Sequence, residues 1–359
     1  MNLRFHWMFP KGGEVAMKTA QDTARVLTRK DTSPAALPDM EGWVRFATVA
    51  EGAGIDSVLL SFSRYEPDTF AISCAVGRAT SRLTFIAAYR TGLMQPAMFV
   101  QQINSLSGLI NGRIALNIVA GSSTAEQRGY GDFLDHDERY ARADEFLSIC
   151  RSFWNGDSEV NFDGKYCRLE RGQLLSPFVA PARKAPEIYI SGHSEQARLL
   201  ALNQGSCWVR LIDTPENLRP IVAEFRERDV EVCLRLCVIC RNTLEEAIEA
   251  GLAMLPDETV GKQERNILAG ADSQTLRQAL AAADNIGWMN RNLWAGLVPY
   301  YGSSSITLLG SPSELAEIFL EYKRIGVTQF IISGWPKLEE MVIFGREVLP
   351  LVRKAELNQ

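Results

Sequence analysis

The chain has 359 residues, 46% hydrophobic and 23% charged, an ordinary balance for a globular protein, and a length that fits two domains or one large α/β barrel. Its net charge of -5, without any cluster of Lys and Arg, excludes a nucleic-acid surface, because phosphate backbones are held by clustered cations. No apolar stretch reaches the length of a membrane-spanning helix, and the short run in MNLRFHWMFP stops at Pro10, so the expected partners are small molecules and the expected location is cytoplasmic.

Leu3 to Phe9 predicts a first strand, followed by a long polar connection carrying Gly12, Gly13, Pro34 and Pro38. An alternation then sets in. A helix over Met40 to Ala53 leads to a strand at Ser57 to Leu60, a helix over Asp68 to Thr80 leads to a strand at Leu83 to Tyr89, and a helix over Pro96 to Ser107 leads to a strand at Ile114 to Val119. After a helix ending near Trp154, EVNFDGKYCRLERG reads as a β-hairpin turning at Asp163-Gly164. The alternation resumes with strand Glu187 to Ser191, helix Ser194 to Gln204, strand Cys207 to Arg210, helix Pro215 to Arg228 and strand Glu231 to Ile239. Residues 243 to 291 break the rhythm with polar, alanine-rich helical sequence that reads as a mobile cover. A strand-like LWAGLVPYY, a helix over Pro312 to Ile325, a strand at Gln329 to Ile332 and a helix over Lys337 to Leu351 complete the pattern. Eight βα units with insertions predict a (β/α)8 TIM barrel, whose active site lies at the carboxyl ends of the strands.

Those strand ends supply the candidates. In Ile114 to Val119 the polar Asn117 interrupts an apolar run, so it either closes a core hydrogen bond or faces a ligand. Gly121, Ser122, Ser123 and Thr124 then offer N–H and hydroxyl groups with little bulk. At Ser191-Gly192-His193-Ser194 a strand runs straight into a helix, where Ser194 is either a simple N-cap or part of an anion site at the positive end of the dipole. His136 and Tyr140, one helical turn apart, form a possible second edge of that cradle. Seven cysteines sit mostly inside apolar patterns, which favours reduced core residues over disulfides; Cys237 and Cys240 form a CxxC whose odd spacing puts them on opposite faces of a strand. Three scattered histidines, without HExxH, suggest no metal site.

Together, NGRIALNIVAGSS, RGYGDFLDHDERYARADEFL, APEIYISGHSEQA, NLWAG and SGWPKLEE resemble the bacterial luciferase-like flavin monooxygenases, most closely the alkanesulfonate monooxygenase branch, over essentially the whole chain. The resemblance implies one domain over 1–359 with insertions at about 10–39, 155–185 and 243–291. It implies reduced FMN (FMNH2) delivered by a separate NAD(P)H-dependent flavin reductase, with O2 as co-substrate activated through a peroxyflavin, and a homo-oligomer, dimer or tetramer. It places the FMN phosphate among His136, Tyr140 and Ser194 with the backbone near Gly192 and His193. The flavin ring would lie beside Asn117, the Ala120, Gly121 and Ser122 loop, and Ala87 to Arg90, including Ala88.

The departures from that branch concern substrate. Tyr65 stands in the slot of a cysteine, Arg235-Leu236-Cys237 keeps an arginine and loses a histidine, Tyr301 replaces an arginine, and Trp335 replaces a tyrosine. An N-terminal histidine near residue 12 is absent as well. Sulfonates are held by fixed positive donors, so the resemblance implies a more aromatic pocket for a larger, less anionic substrate, lined by Tyr65, Cys237, Tyr301 and Trp335. Arg235 is the candidate catalytic residue, against a structural ion pair, and the three aromatics read equally as core filling. The competing activities are an alkanesulfonate monooxygenase proper, a deazaflavin-dependent oxidoreductase and a non-catalytic flavin-binding protein.

Overall fold

The computed structural model describes residues 2–10, 39–64, 66–121, 123–255, 274–283 and 287–358. The expected insertion at 10–39, the middle of the expected cover at 243–291, and the candidates Tyr65 and Ser122 lie outside the described residues. The strands are β1 (Arg4–Met8), β2 (Ser57–Leu60), β3 (Thr84–Tyr89), β4 (Ile114–Ile118), β5 (Val160–Asp163), β6 (Arg168–Gly172), β7 (Glu187–Ser191), β8 (Cys207–Leu211), β9 (Glu231–Cys240), β10 (Leu293–Trp294), β11 (Thr307–Gly310) and β12 (Gln329–Ser333). Hydrogen bonding orders them β10-β11-β9-β12-β1-β2-β3-β4-β7-β8, and β8 pairs with β9 in addition. β1, β2, β3, β4, β7, β8, β9 and β12 therefore close the predicted (β/α)8 TIM barrel, with parallel pairing at β12–β1, β1–β2, β3–β4, β4–β7 and β9–β12.

The helices that matter for the site are α1 (Thr69–Gly77), α2 (Pro96–Leu109), α3 (Thr124–Gly129), α4 (His136–Asn155), α5 (Glu195–Gln204), α6 (Val298–Tyr301), α7 (Pro312–Ile325), α8 (Lys337–Ile343) and α9 (Leu349–Leu357). Local chemistry fixes their starts. Asp68 caps α1 through Phe70 and Ala71, and Asp135 caps α4 in a reciprocal capping box with Glu138. Among the described residues no helix is long and apolar enough to cross a membrane.

One expectation fails at LWAGLVPYY. Only Leu293–Trp294 is extended, pairing antiparallel with β11, and Val298–Tyr301 is a short helix with Pro299 in its first turn. Proline has no N–H for a ladder but suits the first turn of a helix, so the apolar run misled the period reading. The strand that extends the sheet is β11, whose four residues are too few to show a period; it pairs with the carboxyl half of β9, from Thr307↔Cys237 to Gly310↔Cys240. The hairpin at β5–β6 is as predicted, and its loop is held by Glu145, whose carboxylate accepts N–H bonds from Lys165, Tyr166 and Cys167 at 2.9, 2.8 and 2.9 Å.

By internal contacts the chain divides into Met1–Leu59 with Val209–Gln359, and Leu60–Trp208. In the first unit, Phe5, Phe319 and Phe330 pack edge-on and stacked at centroid distances of 4.7 to 5.6 Å. On the other face of β1, His6 bonds Gln329 at 2.8 Å, Gln329 donates to Glu231 at 2.6 Å, and Arg4 pairs with Glu231. The carboxylate of Glu356 on α9 gathers the Leu3 N–H at 2.6 Å, Lys323 of α7 at 2.9 Å and Arg353 at 2.8 Å. Burial raises its pKa, but these three partners outweigh burial and the net shift is downward. A depressed folded pKa means the stabilisation is complete above the unfolded value and fades as pH falls through the folded one. Glu356→Gln is expected to lower stability by about 2 kcal/mol at neutral pH, with the difference shrinking below about pH 4, as urea denaturation at both pH values will show.

In the second unit, Tyr89, Phe99 and Phe146 form the core between β3, α2 and α4, with ring centroids 4.4 and 5.1 Å apart. Desolvation lifts the Tyr89 hydroxyl well above the usual phenol range, and it accepts the Met94 N–H at 3.1 Å.

Candidate active site

Within the unit Leu60–Trp208, the ends of β3, β4 and β7 are neighbours, with Ala88↔Asn117 and Asn117↔Tyr189 in register. Asn117 is buried, and its Oδ1 accepts from Ser191 Oγ at 2.6 Å, so of its two readings the structure shows the internal hydrogen bond, tying the end of β4 to that of β7. Ala88 is buried, and its carbonyl accepts from Thr69 Oγ1 at 3.1 Å. Past β4, the Ala120 carbonyl accepts from Gln127 Nε2 at 2.8 Å. Gly121 then turns with φ +85°, where a Cβ would overlap the Gln127 amide.

Beyond β7, Gly192 has φ +146°, and a Cβ there would lie 2.7 Å from both Tyr140 Oη and the Ala197 Cβ. Ser194, 3% exposed, caps α5 by accepting the Ala197 N–H at 3.2 Å, and it shares a hydrogen bond with Tyr140. Burial raises the Tyr140 pKa and that bond opposes it, so the phenol stays protonated at neutral pH. The His136 ring sits 5.0 Å from the Tyr140 ring, and its Nδ1 lies 2.7 Å from Asp137 Oδ1. Trp208 Nε1 fixes the Gly192 carbonyl at 2.9 Å. His136, Tyr140, Gly192 and Ser194 are thus gathered at the N-terminus of α5, with His193 between the last two in the chain. The bland capping bond of Ser194 is real, yet it occupies only one of the four first-turn N–H groups that lack intrahelical partners. The first-turn carboxylate Glu195 is exposed and paired with Arg198 at 2.6 Å, which limits its repulsion of an anion.

In the other unit, β9 and β12 carry the substrate candidates. Arg235 is half-buried, with Nη1 3.3 Å from Met8 Sδ. Cys237, two residues on, donates its thiol to the Ser304 carbonyl at 3.2 Å. Burial pushes that thiol up to about 12, while Arg235 and Lys337 pull it down, so it stays a neutral thiol and offers neither base nor nucleophile. The Tyr301 and Trp335 rings meet at 5.6 Å, and Tyr301 Oη donates to the Met254 carbonyl at 2.6 Å. Trp335 Nε1 is buried without a partner. The structure therefore joins Arg235 with Cys237, and Tyr301 with Trp335. All seven cysteines are free.

The profile of the luciferase-like monooxygenases matches residues 3–329. The chain belongs to that family. Its fold is shared with EDTA monooxygenase (EmoA) from Chelativorans sp. BNC1, at 20% identity and TM-score 0.77 over 99% of this chain and 94% of that one. It is shared likewise with riboflavin lyase (RcaE), solved with modified FMN and riboflavin, at 19% identity and TM-score 0.76 over 99% and 92%. DmoA from Hyphomicrobium sulfonivorans matches at 20% identity and TM-score 0.75 over 99% and 88%. Likeness at these identities concerns the fold; membership in the family makes the chain a flavin-dependent monooxygenase.

For a luciferase-like monooxygenase the residues present fit FMN. A helix N-terminus with a strained glycine, a buried hydroxyl pair and a nearby imidazole suits a phosphate. The resemblance already places Arg90 beside the flavin ring, whereas Lys337 went unnamed among the site candidates. Lys337, buried at the start of α8, acts on Cys237 together with Arg235. Arg90, one residue past β3, is 5% exposed. The signal for Arg90 was present in the sequence, a charge directly after the apolar run TFIAAY.

Proposed function

We propose that the chain, acting as one luciferase-like domain, is the oxygenase of a two-component system. It takes reduced FMN from a separate NAD(P)H-dependent flavin reductase and uses O2 to oxidise an organic substrate other than a short alkanesulfonate. The observation that carries the reading is the gathering of Tyr140, Gly192 and Ser194 with His136 at the N-terminus of α5. Bound reduced FMN supplies the two electrons that O2 activation requires.

The protein's own groups bind, orient and exclude water. The Ser194 hydroxyl and first-turn N–H groups of α5 hold the phosphate, while the protonated Tyr140 phenol keeps Ser194 in place. Asn117 and Gly121 shape the backbone against which the ring rests. Arg235 supplies positive charge at the middle of β9, and the Tyr301 and Trp335 rings, packed at a tilt, supply aromatic surface for the substrate. Aromatic replacement of arginine at Tyr301 supports a substrate larger and less anionic than a short sulfonate.

Rapid mixing of the anaerobic enzyme–reduced FMN complex with O2 tests the reading. The expected result is flavin reoxidation slower than that of free reduced FMN, with product formation when substrate is present. Reoxidation at the free rate would leave a flavin-binding protein, preferential binding of a reduced deazaflavin would leave the oxidoreductase alternative, and fast turnover of short alkanesulfonates would return the sulfonate activity.

A further inference from the structure

Arg90 lies at the carboxyl end of β3, in the same unit as the phosphate cradle, and it is 5% exposed. Its Nη2 pairs with Glu126 Oε2 at 3.1 Å, and Glu126 Oε1 in turn accepts the Arg64 N–H at 2.8 Å. The guanidinium carbon sits 4.9 Å from the Phe62 ring centroid and 5.9 Å from that of Tyr130. Nε and Nη1 are both buried and without a hydrogen-bond partner. The aromatic faces attract the charge but accept no in-plane N–H bonds.

A lone unpartnered Nε is shared by several arginines here, Arg113, Arg139 and Arg142 among them, but Arg90 leaves Nη1 unpartnered as well. Arg113, half-buried at the opposite end of the same sheet, shows the difference: its two Nη groups reach Thr80 Oγ1, the Leu83 carbonyl, the Gly77 carbonyl and the Thr80 carbonyl at 2.7 to 3.1 Å. Arg90 is instead oriented by Glu126 and Phe62 with two donors left over. Its Nε edge borders the Gly121 turn, where a Cβ would come within 3.3 Å of Nε. β4 separates β3 from β7, which puts Arg90 about 10 Å from the phosphate cradle, given about 4.8 Å per strand. A ribityl chain spans a comparable distance, so Arg90 falls at the ring and not at the phosphate.

We propose that Arg90 binds the pyrimidine edge of the flavin, N1 and the C2 carbonyl, and sets a preference for the reduced form. The proposal rests on the flavin reading above. Oxidised FMN is neutral at this edge, whereas reduced FMN is largely anionic at N1 near neutral pH, so a fixed cation there favours the reduced state. The unused Nε–H, at the Gly121 turn, can donate a charge-assisted hydrogen bond to N1 or to the C2 carbonyl, which is the strong kind. The preference gives an oxygenase that acquires reduced flavin from solution a reason to release it once oxidised.

The test is the ratio of the Kd for oxidised FMN to the Kd for reduced FMN, measured anaerobically for the full chain and for Arg90→Gln and Arg90→Lys. Because each ratio comes from one preparation, any loss of folded protein cancels. The expected wild-type ratio exceeds about 10, Arg90→Gln brings it near about 1, and Arg90→Lys retains part of it, as loss of a charge-assisted pair implies. An Arg90→Gln ratio equal to that of the wild type overturns the proposal, as does an equal loss of affinity for both forms. A wild type that binds neither form overturns the flavin reading itself, a distinct result.

Discussion

Arg235→Ala is expected to lower kcat by about 10²- to 10³-fold while the Kd for reduced FMN changes by less than about threefold. The expectation follows from where the side chain lies. β9 places Arg235 near its middle, two residues before Cys237 and on the same face, and the thiol two residues on is buried enough to be pushed up to about 12. A half-buried charge beside so dry a thiol acts more strongly than one in water on any negative charge that develops next to it. Met8 Sδ, 3.3 Å from Nη1, is a weak acceptor among its neighbours. Arg235→Lys keeps the charge and loses the planar fork, so it should fall between wild type and Ala. The rates are to be measured on the best substrate from a screen of organosulfur, ketone and aromatic compounds. Equal losses in kcat and in flavin affinity would make Arg235 part of the scaffold instead.

The second large effect is expected at the cradle. Gly192→Ala should weaken FMN binding by about 100-fold or more. At φ +146° an L side chain is strained, and the new Cβ would press on Tyr140 Oη and Ala197, displacing the phenol that bonds Ser194. The backbone and the cap move together, so several phosphate donors are lost in one step. Gly129→Ala is the control: no atom lies within 4 Å of its Cβ, and it should leave flavin binding unchanged. Flavin fluorescence titration with parallel thermal melts separates lost binding from lost folding.

Much of the barrel was legible because the strand runs are largely apolar and several of the following helices open on a polar cap, as at Asp68 and Ser194, or on a first-turn proline, as at Pro96 and Pro215. The grouping of His136, Tyr140, Gly192 and Ser194, proposed to hold the phosphate, was legible because these residues lie close to helix starts, where spacing along the chain translates into spacing in the fold. Long-range partners were not. Nothing near Asn117 announces Ser191, and the role of Glu126 as an anchor for Arg90 joins elements that only the fold brings together. LWAGLVPYY misled because an apolar run does not itself say whether Pro299 opens a helix or interrupts a strand. Tyr301 and Trp335 were singled out by substitution pattern, and their contact at 5.6 Å is a property of the fold that spacing does not encode.

The central claim is that the N-terminus of α5, with Ser194, Tyr140 and His136, holds the phosphate of reduced FMN. It is tested most directly by comparing the anaerobic affinities for reduced FMN and reduced riboflavin, which differ only in that phosphate. The account predicts reduced FMN bound about 100-fold more tightly by the wild type, and a difference of about tenfold or less in Ser194→Ala. Equal affinities for the two reduced flavins in the wild type would contradict it and leave Ser194 as a helix cap alone.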